Sequence, residues 1–275
     1  MPLVFWFFLP SLFIFYWSNQ RLIKSIILIS QILSVKEFVV SFLILGFLST
    51  FPNLLTGISA IIRDVPLLSL GDVLGGNIID LTLGIALATF FTKNGIHFQR
   101  KTINKSLFFA LFCSLLPLLL MVDKSLSRGD GLILIFIFFI YLFWLLSKEK
   151  RYHEVFLENE TFSFFQRIRI FLKEFFLLFF LIFLLLVCVQ IIISSVIFLT
   201  EKIGFSLFFG GAVILGTINC LPEIYFAVLA AKKGKEEMIL GDLFSSIVGP
   251  ATLVLGIVAL FSPFSLEDFS LIFFT

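Results

Sequence analysis

The chain has 275 residues, 60% of them hydrophobic and 14% charged, with 40 phenylalanines and a formal net charge of +2. Continuous apolar runs at 107–121, 131–146 and 175–200 are foreign to a water-soluble domain, and they lack the short alternating segments of a membrane β-barrel. These runs make a lipid bilayer the expected principal partner, and no nucleic acid is expected; the net charge says little, because its distribution matters more than its sum.

Breaks at charges, glycines and prolines predict about eight helical spans, each near the length a bilayer requires. They lie near 3–33, 38–62, 67–92, 104–122, 130–147, 168–200, 206–231 and 237–262. The first begins without a basic leader or a small-residue cleavage site, so it reads as a retained helix, interrupted by Arg21 and Lys24. The segment 148–167 is the one sizeable polar connector, and the stretch from Ser262 to Thr275 reads as the start of a ninth span.

With the N-terminus outside, the inward side carries Lys36, Lys93, Arg100, Lys101, Lys105, Lys148, Lys150, Arg151, Arg167, Arg169, Lys173, Lys232, Lys233 and Lys235. The outward side carries only Arg63, Lys124, Arg128 and Lys202. Positive charge collects on the cytoplasmic side of membrane proteins. The expected arrangement is therefore a multi-pass protein of a plasma (inner) membrane, N-terminus outside and connector 148–167 cytoplasmic.

An internal repeat is visible at an offset of 170 residues. GFLSTFPNLLTGISA (46–60) aligns with GTINCLPEIYFAVLA (216–230), and SLGD (69–72) with ILGD (239–242). LTLGIAL (81–87) aligns with TLVLGIVAL (252–260) only if two residues are inserted in the second copy. The copies are five spans apart, so they lie in opposite orientation, as in the inverted repeats of secondary transporters. The expected fold class is all-α, a polytopic membrane protein of two inverted-topology repeats. The first membrane repeat is 1–147, with its internally repeated segment at about 46–90; 148–167 is the connector; the second is 168–275, with its repeated segment at about 216–260.

Ionisable groups inside spans are costly and belong in protein interiors or wet cavities. Here they gather in the repeats: Asp72, Asp80, Glu223 and Asp242, with Asn53, Asn77 and Asn219. Helical spacing puts Asn53 on one face with Ser49, Asp72 with Asp80, Asn219 with Glu223, and Asp242 with Ser246. Pro52, Pro222 and Pro250 are expected to break their helices and free backbone carbonyls. Many oxygen ligands, carboxylates and amides among them, suit a hard cation. Asp72 and Asp242 lie near span ends, where a role as helix-start caps competes with a role at the site.

These segments resemble the repeats of the calcium/cation antiporter superfamily, the sodium/calcium exchanger-like membrane proteins. The residues that carry the resemblance are GTINCLPE at 216–223 with GDLFSSIVG at 241–249, and STFPN at 49–53 with GDVLGGNIID at 71–80. It implies the exchanger-like fold, with about eight of the family's usual ten spans present. It implies antiport of Ca²⁺ against Na⁺ or H⁺ by alternating access, with these ions as cargo and no resident cofactor. Carried over, the cation-binding residues are Glu223, Asp80, Asn53, Thr50, Ser49, Asn219, Cys220 and Ser246. Asp72, Asp242 and Asn77 are accessory candidates.

The pattern also departs from the family. Asn53 stands where a glutamate is expected, Cys220 replaces a hydroxyl, and Pro250 matches Asp80 in the ungapped register, or Thr252 does if the insertion is real. A monovalent-cation/proton antiporter and a non-transporting scaffold are the alternative readings. An intramembrane aspartyl protease is disfavoured, because the Y-D and G-x-G-D contexts are absent around Asp72 and Asp242.

Overall fold

A computed structural model describes residues 2–32, 50–92, 100–146, 164–232, 239, 243 and 246–266. Helix α1 is Pro2–Ile32, α2 is Phe51–Ile62 and α3 is Pro66–Ile79. A π-helical turn at Asp80–Gly84 leads into α4, Ile85–Phe91. Then come α5 (Arg100–Leu120), α6 (Arg128–Leu146) and the 40-residue α7 (Phe164–Ile203). A second π turn, Gly211–Leu215, joins α8 (Leu207–Gly210) to α9 (Gly216–Lys232), and a third, Pro250–Val254, opens α10 (Leu255–Phe261).

Three continuous helical stretches among the described residues are long and apolar enough to cross a membrane: Pro66–Phe91, Ile168–Ile203 and Leu207–Lys232. They coincide with the third, sixth and seventh predicted spans. The second and eighth are described over only part of their length, and the connector 148–163 lies outside the described residues.

The surface is apolar where lipid would lie. Trp6, Phe13 and Trp17 on α1, and Phe176, Phe179, Phe180 and Phe183 on α7, are all exposed. Lipid tails supply no hydrophobic drive for helices to associate, so packing quality and polar contacts must do so. On α1 the buried positions among the described side chains are Ser11, Phe15, Ser18, Asn19, Leu22 and Ser25. Leaving out Asn19, their spacing alternates four and three, the seam of a coiled coil. Leu181, Leu185, Cys188, Val189, Ile192 and Ser195, each 170 residues further on, are buried on α7 in the same order. The repeat thus extends into the two long helices, which pack along one another through this seam. Arg21 and Glu174 pin the register: the guanidinium donates to both carboxylate oxygens at 2.7 and 3.0 Å, and Ser25 donates to the same carboxylate at 2.8 Å.

The other helices pack by a different principle. A Cβ at Gly75 would overlap backbone atoms of Ala212, and one at Gly216 would stand 2.8 Å from the Gly76 nitrogen. Helix α3 and the segment 207–232 therefore touch backbone to backbone. This crossing brings the polar faces of the two repeats together.

Away from it, a short antiparallel pairing joins β1 (Ser125–Leu126) to β2 (Phe264–Ser265), with Ser125 opposite Ser265 and Leu126 opposite Phe264. The loop after α5 is thereby stitched to the segment that follows α10.

Candidate cation site

Where the repeats cross, one cavity is lined by Asn53 from α2; by Asp72, Val73, Gly76 and Asn77 from α3; and by Asp80 from the first π turn. The second repeat adds Asn219, Cys220 and Glu223 from α9, then Ser246 and Pro250. The cavity is small, with room for about one water molecule or one ion.

The polar groups interlock across the repeats. Asn219 Nδ2 donates to Asn53 Oδ1 at 3.0 Å and to Asp72 Oδ1 and Oδ2 at 2.9 and 3.0 Å. Ser246 Oγ donates to Asp80 Oδ2 at 2.8 Å, and Cys220 Sγ donates to the Gly76 carbonyl at 3.3 Å. Asp80 Oδ1 is buried and accepts no hydrogen bond among the described residues. Glu223 is buried at 8% exposure.

Three carboxylates thus line one small cavity, and no Lys, Arg or His is among the described residues that line it. Burying like charges without a counter-charge is unfavourable, so the arrangement calls for a cation or for protons. No group of three or more His, Cys, Asp or Glu side chains stands close enough to form a ready metal cage among the described residues. A bound ion would therefore also need amide, hydroxyl or carbonyl oxygens.

Of the residues singled out in the sequence, Glu223, Asp80, Asn53, Asn219, Cys220, Ser246, Asp72 and Asn77 meet at this cavity. Thr50 does not line it; its side chain packs on Gly249, where a Cβ would overlap Thr50 Oγ1. Ser49 and Asp242 lie outside the described residues. Asp72 is 1% exposed and held by Asn219, so it belongs to the cavity and does not cap a helix start in headgroup water.

The prolines behave differently from one another. Pro52 stands in the first turn of α2, where its missing N–H is harmless. Pro222 corrects an expectation: α9 is continuous through it, because one lost bond in a well-packed helix does not end the helix. The ladder of that segment opens instead in the π turn Gly211–Leu215. Pro250 does interrupt its ladder, as the first residue of the π turn Pro250–Val254.

Asp80 opens the first π turn just as Pro250 opens the third, 170 residues later. The ungapped register therefore holds at this point. Thr252, the gapped alternative, spends its hydroxyl on the Val248 carbonyl of its own helix at 2.6 Å. Single π turns widen a helix locally and recur at functional sites. The sequences DLTLG and PATLV gave no sign of them.

The model of the sodium/calcium exchanger protein family matches residues 3–147 and 173–274. The inner membrane protein YrbG of Escherichia coli (strain K12) is 20% identical over 250 residues, which are 90% of this chain and 76% of that one. Among solved structures, the sodium-calcium exchanger NCX_Mj soaked with Na⁺ and Sr²⁺ aligns with a TM-score of 0.62 at 21% identity, covering 98% of this chain and 86% of that one. The H⁺/Ca²⁺ exchanger CAX aligns with a TM-score of 0.65 at 18% identity, covering 92% and 67%. At these identities the structural matches speak for the fold.

Proposed function

The chain belongs to the sodium/calcium exchanger protein family, and from that premise we propose that it is a secondary active antiporter carrying Ca²⁺ against Na⁺ or H⁺ by alternating access. The observation that supports this best is the cavity itself: Asp72, Asp80 and Glu223 face one ion-sized space with no basic side chain among its described lining. Glu223 and Asp80 are assigned as the principal carboxylate ligands, one from each repeat. Asn53 serves as a neutral amide ligand, and Asp72 as a third acid oriented by Asn219. A second cation, or protons, neutralises the same charges when the first ion leaves, and this links the two fluxes.

Orientation and organisation belong to the same reading: N-terminus outside, two inverted repeats at 1–147 and 168–275, and a cytoplasmic connector at 148–167. The distribution of Lys and Arg supports the orientation.

Gradient-driven ⁴⁵Ca²⁺ uptake into proteoliposomes, with Na⁺ or H⁺ as the counter-gradient, tests the proposal. Wild type takes up Ca²⁺ with one of the two gradients, and Glu223→Gln loses uptake by about a hundredfold or more, the scale of about 2.7 kcal/mol of lost ion interaction. Absence of flux with either gradient overturns it. Flux of monovalent cations alone favours the monovalent-cation/proton reading, for which the Asn53 departure speaks.

A further inference from the structure

The described helices fall into two bodies that are built differently. The site helices cross backbone to backbone at glycines. The long helices α1 and α7 are joined by their seam and by Arg21, Ser25 and Glu174. Between the bodies, one apolar cluster packs Leu55, Leu68, Leu215 and Ile218 against Phe15, Leu22 and Ile192. Apolar contact is non-directional and selects no register.

At Arg63 the two bodies meet through directional bonds. Arg63, just past the end of α2, donates Nε–H to Gln190 Oε1 at 2.9 Å. Its Nη2 donates to the same oxygen at 2.7 Å and to the Gln190 carbonyl at 3.2 Å. Gln190 Nε2 in turn donates to Ser59 Oγ at 2.9 Å. Ser59 lies on the helix that carries Asn53 and Arg63 caps the end of that helix, while Gln190 lies on α7. A planar guanidinium fork and an amide have strict geometry. A slide of α7 by one residue moves Gln190 by about 1.5 Å, and the three bonds, two to the amide oxygen and one to the carbonyl, then cannot all keep their lengths and angles around one rigid guanidinium.

We propose that Arg63 is a positioning residue for exchange: its fork on Gln190 sets the axial register of the long helix pair against α2 and holds the protein in one of its two facing states. The clamp rests on the antiporter reading, for which it supplies the missing register. It assigns a function to a cation that the ion site does not use.

The test takes the full chain with Cys113→Ala and Cys188→Ala, which leaves cavity-lining Cys220 as the sole thiol. In proteoliposomes, a membrane-impermeant thiol reagent is applied from each face in turn, and the ratio of the two labelling rates is measured. In both Arg63→Met and Gln190→Met the ratio shifts in the same direction by about tenfold, the scale of one charge-assisted hydrogen bond, and Arg63→Lys falls between these variants and Arg63. The two disrupting variants lie on different helices, so misfolding of one leaves the other as the test. Unchanged ratios in a folded variant overturn the proposal. Loss of the antiporter reading would look different: the ratio still shifts while wild-type liposomes carry no coupled Ca²⁺ flux.

Discussion

Asn219 holds Asp72 across the repeat boundary: one amide nitrogen of α9 lies 2.9 and 3.0 Å from the two carboxylate oxygens of α3. The same nitrogen also lies 3.0 Å from Asn53 Oδ1. It has two hydrogens for three acceptors, so acceptor capacity remains around it for a cation.

Replacing Asn219 with Leu removes those donors and leaves Asp72 buried without them. The expected cost is about 1–3 kcal/mol, read as a lower midpoint of thermal unfolding in detergent. Asp72→Asn in the Asn219→Leu background should recover part of it, since the residue left behind is then uncharged. A double variant no more stable than Asn219→Leu would show that Asp72 is not the group being served.

Ion binding should stabilise the fold. A ligand at a hundred times its dissociation constant adds about 2.7 kcal/mol, so Ca²⁺ titration should raise the unfolding midpoint of wild type in detergent. Glu223→Gln should lose most of this response, and Asp80→Asn a large part. An equal Ca²⁺ response in wild type and both variants would remove these carboxylates from the ligand set.

Backbone contact at the crossing makes a sharp steric prediction. Gly75→Val places side-chain atoms where Ala212 backbone lies. The variant should fail to give a monodisperse peak on size-exclusion chromatography. Gly129→Ala should be neutral, because a Cβ there meets only Ser127 Oγ at 3.6 Å.

The Arg21–Glu174 pair tests the register of the long helices. Glu174 is almost fully buried, its side chain 4% exposed. Arg21→Met should therefore leave an uncompensated buried carboxylate and cost about 3–5 kcal/mol in thermal unfolding. Arg21→Met with Glu174→Leu should be milder than Arg21→Met alone, since no charge is then stranded. A double variant as unstable as the single one would mean that packing of the Arg21 stem, not charge pairing, is what matters.

Much of this architecture could be read from residues alone. Gly46, Pro52 and Ala60 recur as Gly216, Pro222 and Ala230, and Gly216 stands at a close helix crossing, where a Cβ would lie 2.8 Å from the Gly76 nitrogen. The family model confirms the membership that GTINCLPE suggested. The matching burial of α1 and α7 was not legible: Phe15 corresponds to Leu185 and Ser25 to Ser195, but Ser11 corresponds to Leu181 and Asn19 to Val189, so the shared seam changes polarity between the copies. Asp72 reads as a span-end residue in the sequence because linear position does not show which neighbour covers a side chain; Asn219, 147 residues away, covers it. Arg63 counted only as an outward charge. Its partner Gln190 lies 127 residues away, and local pattern carries no trace of a contact at that range.

The lipid-facing edge of α1 has an experimental consequence. The chain has three tryptophans. Trp6 and Trp17 stand on that edge, about 16 Å apart along the axis at the rise of an α-helix, whereas Trp144 stacks on Phe109 with ring centroids 5.8 Å apart. Brominated acyl chains quench indole emission at the depth of the bromine. Lipids brominated at different carbons would therefore gauge how far α1 shifts along the bilayer normal, in native protein and without an attached dye.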